Sequence, residues 1–210
     1  MGLTVDVISD VICPWCYIGK RRLEKAIAAF GVPAKVRWLP FQLNPTMPKQ
    51  GISRRVYRTK KFGSWERSQE LDARVVAAGE AEGIHFAFDR IERTPNTLDA
   101  HRLVWLAERQ GVQDAVVEAL FRAYFTEGRD IGKRQTLLDV VAEAGLDRHG
   151  AEAVLNSDGG LQAIKDADAL AHRFRVEGVP FFIIDGTFTL SGAQQPEAFL
   201  EAFKRAAAMQ

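Results

Sequence analysis

The 210-residue sequence is poor in cysteine and histidine, with two residues of the first kind and four of the second. Two cysteines cannot build a network of disulfides, and a chain of this length can bury enough apolar surface to fold without one. Structural zinc sites need four ligands, and His85, His101, His149 and His172 are scattered along the chain. No metal site is therefore expected.

The sequence also lacks an excess of charge of one sign and a long apolar run. It has 28 basic and 27 acidic residues and a formal net charge of +1, so no overall field would hold it on nucleic acid or on an anionic membrane. No apolar stretch approaches the ~18 residues that span a bilayer. Residues 1–6 lack the cationic start and apolar core of a secretory signal. These features predict a cytoplasmic protein without nucleic-acid or membrane partners.

The order of hydrophobic patterns points to strands near both ends of the chain. Residues 3–7 alternate as on a half-buried strand, helical spacing follows, and a second strand candidate covers 36–41. From about 52 to 174 the patterns are helical, broken by glycine and proline, and no segment is convincing as a strand. Strand character returns at 180–190, where Asp185-Gly186 predicts a hairpin because both turn residues must tolerate positive φ.

The two cysteines share one motif, Cys13-Pro14-Trp15-Cys16, at a strand-to-helix junction. Pro14 suits the first turn of a helix, where a missing N–H costs nothing. The thiolate is the nucleophile, and a helix N-terminus favours the anion over the free thiol, whose pKa is about 8.5. We therefore predict that Cys13 is the exposed attacking thiol and Cys16 the resolving thiol. Half of a zinc site and an incidental pair are the less favoured alternatives.

Three stretches add to this motif. They are Ser-Asp-Val-Ile-Cys-Pro-Trp-Cys-Tyr-Ile-Gly at 9–19, Asn-Thr-Leu-Asp-Ala-His-Arg-Leu at 96–103, and Gly-Val-Pro-Phe-Phe at 178–182 running on to Ser-Gly-Ala-Gln at 191–194. Together they resemble the FrnE-type members of the DsbA family, over nearly the whole chain. The resemblance implies an α/β protein, with a thioredoxin-like fold that carries a large all-helical insertion.

The resemblance also implies domains, activity and site residues. The thioredoxin-like domain would comprise 1–49 and 174–210, and the helical insertion domain 50–173. The implied activity is thiol–disulfide oxidoreduction on protein, peptide or small-molecule thiols and disulfides, without a cofactor. Pro180 would be cis beside the cysteines, Val179 would offer its backbone to an extended substrate, and Pro14 and Trp15 would help to bind it. A homodimer is left open.

A sister group of the same fold suggests an alternative function. Glutathione-dependent isomerases and kappa-class glutathione transferases resemble this chain in the Asn-x-x-x-Ala-His-Arg stretch, and they typically place serine where Cys13 stands. The resemblance implies that Asn96 and His101 face the groove near Cys13 and bind substrate; a turn residue at a helix N-terminus and a partly buried histidine are the equally favoured structural interpretation. It leaves open glutathione as a co-substrate, and an isomerase or transferase acting on a small aromatic or polyketide-like molecule.

Two further features have competing interpretations. Asp10, three residues before Cys13, is either a proton carrier for Cys16 or a polar turn residue, and we favour the second. A basic run with interleaved aromatic residues could bind nucleic acid or an acidic partner, but the low net charge favours a solvated helix or loop face. The run comprises Arg54, Arg55, Tyr57, Arg58, Lys60, Lys61, Phe62, Trp65 and Arg67.

Overall fold

A four-stranded mixed sheet joins the two ends of the chain in the computed structural model, which describes residues 2–209. In chain order the strands are β1 (Leu3–Ser9), β2 (Ala34–Pro40), β3 (Ile52–Ser53), β4 (Arg93–Thr94), β5 (Phe181–Ile184) and β6 (Phe188–Ser191). The large sheet has the order β2-β1-β5-β6. Strand β2 is parallel to β1, whereas β5 and β6 are antiparallel to their neighbours. The expected α/β class is confirmed.

Nine helices surround this sheet in the described part of the chain. They are α1 (Pro14–Phe30), α2 (Arg54–Phe62), α3 (Trp65–Glu80), α4 (Leu98–Arg109), α5 (Gln113–Phe125), α6 (Arg134–Glu143), α7 (Arg148–Leu155), α8 (Leu161–Arg173) and α9 (Pro196–Ala207). Helix α1 directly follows β1, and α9 directly follows β6. The seven helices between β2 and β5 form the predicted insertion.

The period of two in the strands divides their side chains between the two faces of the sheet. On one face Val5, Val7 and Phe182 join the main core, where the ring centroid of Phe182 lies 4.7 Å from that of Phe199 in α9. On the other face Ile8 and Ile183 join a second apolar cluster with residues of α8. Burial on both faces fixes the sheet behind the cysteine motif.

The hairpin between β5 and β6 is present as predicted. Asp185 and Gly186 have φ values of 48° and 70°. Both values lie in the left-handed region, which glycine and aspartate adopt more readily than bulky residues. The Asp-Gly signal in the sequence therefore correctly identified the turn.

The expectation of no strand between 52 and 174 is wrong. Ile52–Ser53 pairs with Arg93–Thr94 in a small antiparallel ladder inside the insertion. Each strand has only two residues, so neither can show the alternation that identifies a strand in a sequence. The ladder ties the start of α2 to the segment before α4, and thereby helps to position α2 near the cysteines.

A glutamine side chain covers the open edge of β2. The Gln113 amide accepts a hydrogen bond from the Trp38 N–H and donates one to the Trp38 carbonyl, both at 2.9 Å. Gln113 is buried at the start of α5, so its amide continues the ladder where no further strand pairs. The contact joins the insertion to the sheet.

We expect Gln113→Ala to lower the free energy of unfolding by about 1–3 kcal/mol, because two backbone groups of Trp38 lose their partners. Chemical denaturation measures the change. Gln135→Ala, which removes an exposed glutamine of α6, is the matched control and should change the free energy by less than about 0.5 kcal/mol. Equal effects of the two substitutions would show that Gln113 does not seal the edge.

The proposed boundaries at 49/50 and 173/174 separate the sheet from the inserted helices along the chain. One main hydrophobic core nevertheless includes residues of both parts, such as Val7 of β1 and Leu120 of α5. The division into two domains therefore stays a prediction. No helix among residues 2–209 is both long and apolar enough to cross a membrane.

Candidate active site

The cysteine motif lies where β1 gives way to α1. Cys13 is the N-cap residue of α1, Pro14 takes the first helical position, and the Cys16 N–H donates to the Cys13 carbonyl at 3.0 Å. Cys16 is 0 % exposed and Cys13 is 5 % exposed. Cys13 is therefore less exposed than the sequence predicted, and its accessible surface faces a cavity.

The predicted proline loop lies against Cys13. The Val179–Pro180 bond is cis, as expected. The Cys13 thiol donates a hydrogen bond to the Val179 carbonyl, with 3.4 Å between Sγ and O. Within residues 2–209 the Val179 N–H has no hydrogen-bond partner. The structure therefore brings Val179 into contact with the Cys13 thiol, across the long insertion that separates them in sequence.

Contacts with α1 and with the segment after β6 hold this loop in place. The Gly192 N–H donates to the Pro180 carbonyl at 2.8 Å, and the Arg22 guanidinium donates to the Ala193 carbonyl at 2.6 Å. Gly19 lets the loop approach, since a Cβ added there would lie 3.0 Å from Pro180 Cγ. These contacts give a structural reason for the Ser-Gly-Ala-Gln stretch and for the glycine that follows the cysteine motif. Neither feature could be given a role from the sequence alone.

Burial sets the chemical character of Cys16. It raises the pKa of the Cys16 thiol well above its usual value, and the hydrogen bond and charge interaction with Cys13 raise it further. Cys16 is therefore a neutral thiol near neutral pH, which agrees with the predicted resolving role.

This raised pKa predicts how the second step of a disulfide exchange depends on pH. Only the thiolate attacks, so the rate at which Cys16 resolves a mixed disulfide on Cys13 should rise about tenfold per pH unit below that pKa. Single-turnover oxidation by an aromatic disulfide that releases coloured thiols measures the two steps as separate phases. A second phase that is independent of pH between about 6 and 8 would contradict the assignment.

Asp10 lies fully buried beneath the motif. Its carboxylate accepts hydrogen bonds from the Leu43 N–H at 2.8 Å and the Ile12 N–H at 3.5 Å, and its Oδ1 lies 3.2 Å from His101 Nε2. These bonds join the loop after β1, the loop after β2 and α4. The favoured interpretation of Asp10 as a turn residue is therefore incomplete, because its carboxylate also fixes the helical insertion beneath the cysteines.

A cavity of about 410 Å³ opens at Cys13. Cys13, Pro14 and Trp15 line one side of it. Side chains of α2 and α3 also line it, as do Tyr124 and Phe125 of α5. The insertion thus folds over the cysteine end of the sheet. The volume lies in the range of small-molecule sites.

Part of the basic run lines this cavity, which corrects in part its interpretation as a solvated face. Arg54, Arg58 and Lys61 of α2 line the cavity together with Tyr57 and Phe62. Arg54 is buried, and Arg58 is mostly shielded from solvent. The sequence could not show this, because the position of α2 over Cys13 depends on the β3–β4 ladder and on the packing of α3.

Asn96 and His101 are not among the residues that line the cavity. The Asn96 side chain donates to the Met47 carbonyl at 2.6 Å and accepts from the Leu98 N–H at 2.9 Å, so it secures the start of α4. His101 is buried against Asp10. The Asn-x-x-x-Ala-His-Arg stretch therefore has a structural role here, and the positions of Asn96 and His101 give no support to direct substrate binding.

Comparisons with known proteins agree with this geometry. The sequence model of the DSBA-like thioredoxin domain matches residues 4–204. A probable DsbA oxidoreductase from Streptomyces coelicolor is 32% identical with a TM-score of 0.91, over 99% of this chain and 91% of its own. The cytosolic disulfide reductase DsbM from Pseudomonas aeruginosa is 24% identical with a TM-score of 0.69, over 96% of this chain and 98% of its own; it has also been solved with GSH.

A 2-hydroxychromene-2-carboxylate isomerase shares the fold as well, at 17% identity and a TM-score of 0.73, over 98% of this chain and 97% of its own. The match of the family over nearly the whole chain confirms the thioredoxin-like fold with its helical insertion. The chain therefore belongs to the DSBA-like thioredoxin domain family.

Proposed function

We propose that this protein is a thiol–disulfide oxidoreductase that uses Cys13 and Cys16 as its redox pair. The observation that carries the proposal is the arrangement around Cys13. Cys13 is the N-cap residue of α1, lines the cavity and has its Sγ 3.4 Å from the Val179 carbonyl, while Cys16 lies buried within the first turn. The membership of the chain in the DSBA-like family supports the same chemistry.

The helix N-terminus gives Cys13 the attacking role. Unpaired N–H groups and the helix dipole stabilise an anion at this position. Attack on a substrate disulfide forms a mixed disulfide on Cys13 and releases one thiolate. Cys16 then attacks the Cys13 sulfur, releases the second thiolate and leaves the Cys13–Cys16 disulfide, so two electrons pass from the protein to the substrate. The reverse sequence oxidises a substrate dithiol.

Substrate backbone would add beside the proline loop. The Val179 carbonyl lies beside the thiol, and an extended chain could pair with the backbone groups of Val179 as an added strand. Trp15 is partly exposed at the cavity, where it would supply apolar contact area. These groups fit a peptide or a small disulfide equally well. We place the activity in the cytoplasm, in line with the cytosolic description of DsbM.

The reaction is tested by mixing the reduced protein with a neutral disulfide and following the loss of both thiols. We expect one equivalent of disulfide to be consumed, both cysteines to become oxidised together, and insulin reduction to be accelerated with dithiothreitol present. Oxidation that leaves Cys16 as a free thiol would contradict the proposal.

The isomerase or transferase alternative rests on the fold shared with the chromene carboxylate isomerase and on the DsbM structure with GSH. It predicts glutathione-dependent turnover of a chromene carboxylate or an aromatic electrophile. We expect none from the wild-type protein, because Cys16 would displace glutathione from any mixed disulfide on Cys13, so that the site exchanges disulfides rather than holding glutathione as a thiolate. Turnover that survives Cys16→Ser and needs glutathione would favour the alternative.

A further inference from the structure

The cavity beside Cys13 has an unbalanced charge. Four cationic side chains line it, those of Arg54, Arg58, Lys61 and Arg74, and no aspartate or glutamate of residues 2–209 is among its lining residues. The protein as a whole is almost neutral, with a net charge of +1. A local excess of positive charge therefore lies beside the Cys13 thiol.

One carboxylate lies behind this wall and compensates only part of the charge. Asp72 Oδ2 lies 2.7 Å from Arg54 Nη2, and Asp72 Oδ1 lies 2.5 Å from Arg58 Nη2. Lys61 donates to the Tyr57 hydroxyl at 2.8 Å, and Arg74 has no ion pair within the described residues. Four cations less one carboxylate leave three positive charges facing the cavity.

Aromatic rings hold several of these cations in place. The guanidinium carbon of Arg58 lies 4.5 Å from the ring centroid of Phe62, and Lys61 Nζ lies 5.3 Å from that of Tyr57. Burial and the neighbouring Arg54 lower the pKa of Arg58, while Asp72 raises it. A bound anion would stabilise this desolvated cation, which gives the cavity a physical reason to select negative charge.

On the basis of the proposed function, we infer that the cavity binds a low-molecular-weight disulfide that carries carboxylates. The carboxylates lie against Arg58, Lys61 and Arg74, and the disulfide reaches Cys13. Side chains of α2, α3 and α5 surround the space, whose volume of about 410 Å³ fits a small molecule. The arginine fork matches carboxylate geometry.

The reaction balances without a further reagent. The Cys13 thiolate attacks one sulfur of the disulfide R–S–S–R, forms Cys13–S–S–R and expels the first R–S⁻. Cys16 loses its proton and attacks the Cys13 sulfur, which expels the second R–S⁻ and closes the Cys13–Cys16 disulfide. The substrate gains two electrons and the protein dithiol loses them. The two thiol protons pass to the two R–S⁻ groups or to solvent.

The test compares two aromatic disulfides in single-turnover experiments with the reduced full-length protein. Dithiobis-nitrobenzoate is dianionic and dithiodipyridine is neutral. We expect the ratio of their rate constants to fall about tenfold in a Lys61→Gln, Arg74→Gln double variant, and high salt to lower the wild-type ratio. Oxidised glutathione and cationic cystamine form the aliphatic version of the pair.

Lys60→Gln is the matched control, since Lys60 is exposed on the same helix and is not among the residues that line the cavity. It should leave the ratio within twofold of wild type. Circular dichroism and thermal unfolding check that the double variant is folded. If it is not, the single variant Arg74→Gln is used instead, since Arg74 is exposed and makes no ion pair within the described residues.

Three outcomes would overturn the inference. One is an unchanged ratio in the double variant, and another is an equal change in Lys60→Gln. The third is a charge effect seen only with insulin or an acidic cysteine peptide, which would assign the cavity to a polypeptide. If neither small disulfide oxidises the protein, the proposed oxidoreductase function fails instead, so the two failures are distinguishable.

Discussion

Replacing Cys16 with serine should trap covalent adducts on Cys13. The helix N-terminus still favours attack by Cys13, but no second thiol remains to resolve the product. We expect mixed disulfides with substrate to persist on the order of a thousandfold longer than in the wild-type protein, because the intramolecular attack is lost. Non-reducing electrophoresis and peptide mass spectrometry identify the adduct and the cysteine that carries it.

Cys13→Ser is the control for this experiment. It should abolish both trapping and insulin reduction, because the remaining Cys16 is buried and its pKa is raised. Alkylation by iodoacetamide should accordingly modify Cys13 before Cys16 in the wild-type protein. Preferential alkylation of Cys16, or full disulfide exchange by Cys13→Ser, would reverse the assignment of the two thiols.

Replacing Gly19 with valine should destabilise the protein and impair the site together. A Cβ at this position would lie 3.0 Å from Pro180 Cγ and 3.1 Å from Phe182 Cζ, so the proline loop must move away from α1. Overpacking of this kind typically costs about 1–3 kcal/mol. We expect a loss of about 2 kcal/mol in the free energy of unfolding, with slower insulin reduction as the Val179 carbonyl moves away from Cys13.

Gly178→Ala is the matched control in the same loop. An added Cβ there meets nothing within 4 Å, and the backbone is outside the left-handed region. The free energy of unfolding should change by less than about 0.5 kcal/mol or rise slightly. If Gly19→Val has the same free energy of unfolding and the same rate of insulin reduction as this control, the loop does not depend on Gly19.

The parts of the fold that depend on local pattern could be predicted from the sequence. Asp185-Gly186 specified its hairpin through backbone conformation alone, and the position of Pro14 placed Cys13 at the start of a helix. The strands β3 and β4 were missed because two-residue strands carry no periodic signal. The cover that Gln113 gives to β2 was missed because it joins residues far apart in the chain.

The candidate site, too, could be predicted only where it depends on local sequence. The motif identified Cys13 and Cys16, but the charge of their surroundings depends on where α2 lies. Arg58 and Lys61 belong to a basic segment that is typical of a solvent-exposed helix face, and only the tertiary fold places them in the cavity at Cys13. Asn96 and His101 were assigned to substrate by a shared motif, whereas their hydrogen bonds secure α4 and Asp10.

The charged cavity and the redox pair make separate contributions to the proposed activity. Cys13 and Cys16 supply the chemistry, which any accessible disulfide would reveal. Arg58, Lys61 and Arg74 would determine which disulfide arrives, through attraction and carboxylate binding. Variants of the cations should therefore alter the choice of substrate and leave the equilibrium potential of the cysteine pair close to its wild-type value.

Cys13 and Cys16 should form one two-electron couple. Equilibrating the protein with mixtures of reduced and oxidised glutathione, and counting free thiols by mass spectrometry after acid quenching, tests this. We predict that both thiols disappear together, with a dependence on the potential that fits a two-electron transition and an oxidised form that has lost two hydrogens. An oxidised form that keeps a free thiol or carries glutathione at equilibrium would contradict the claim.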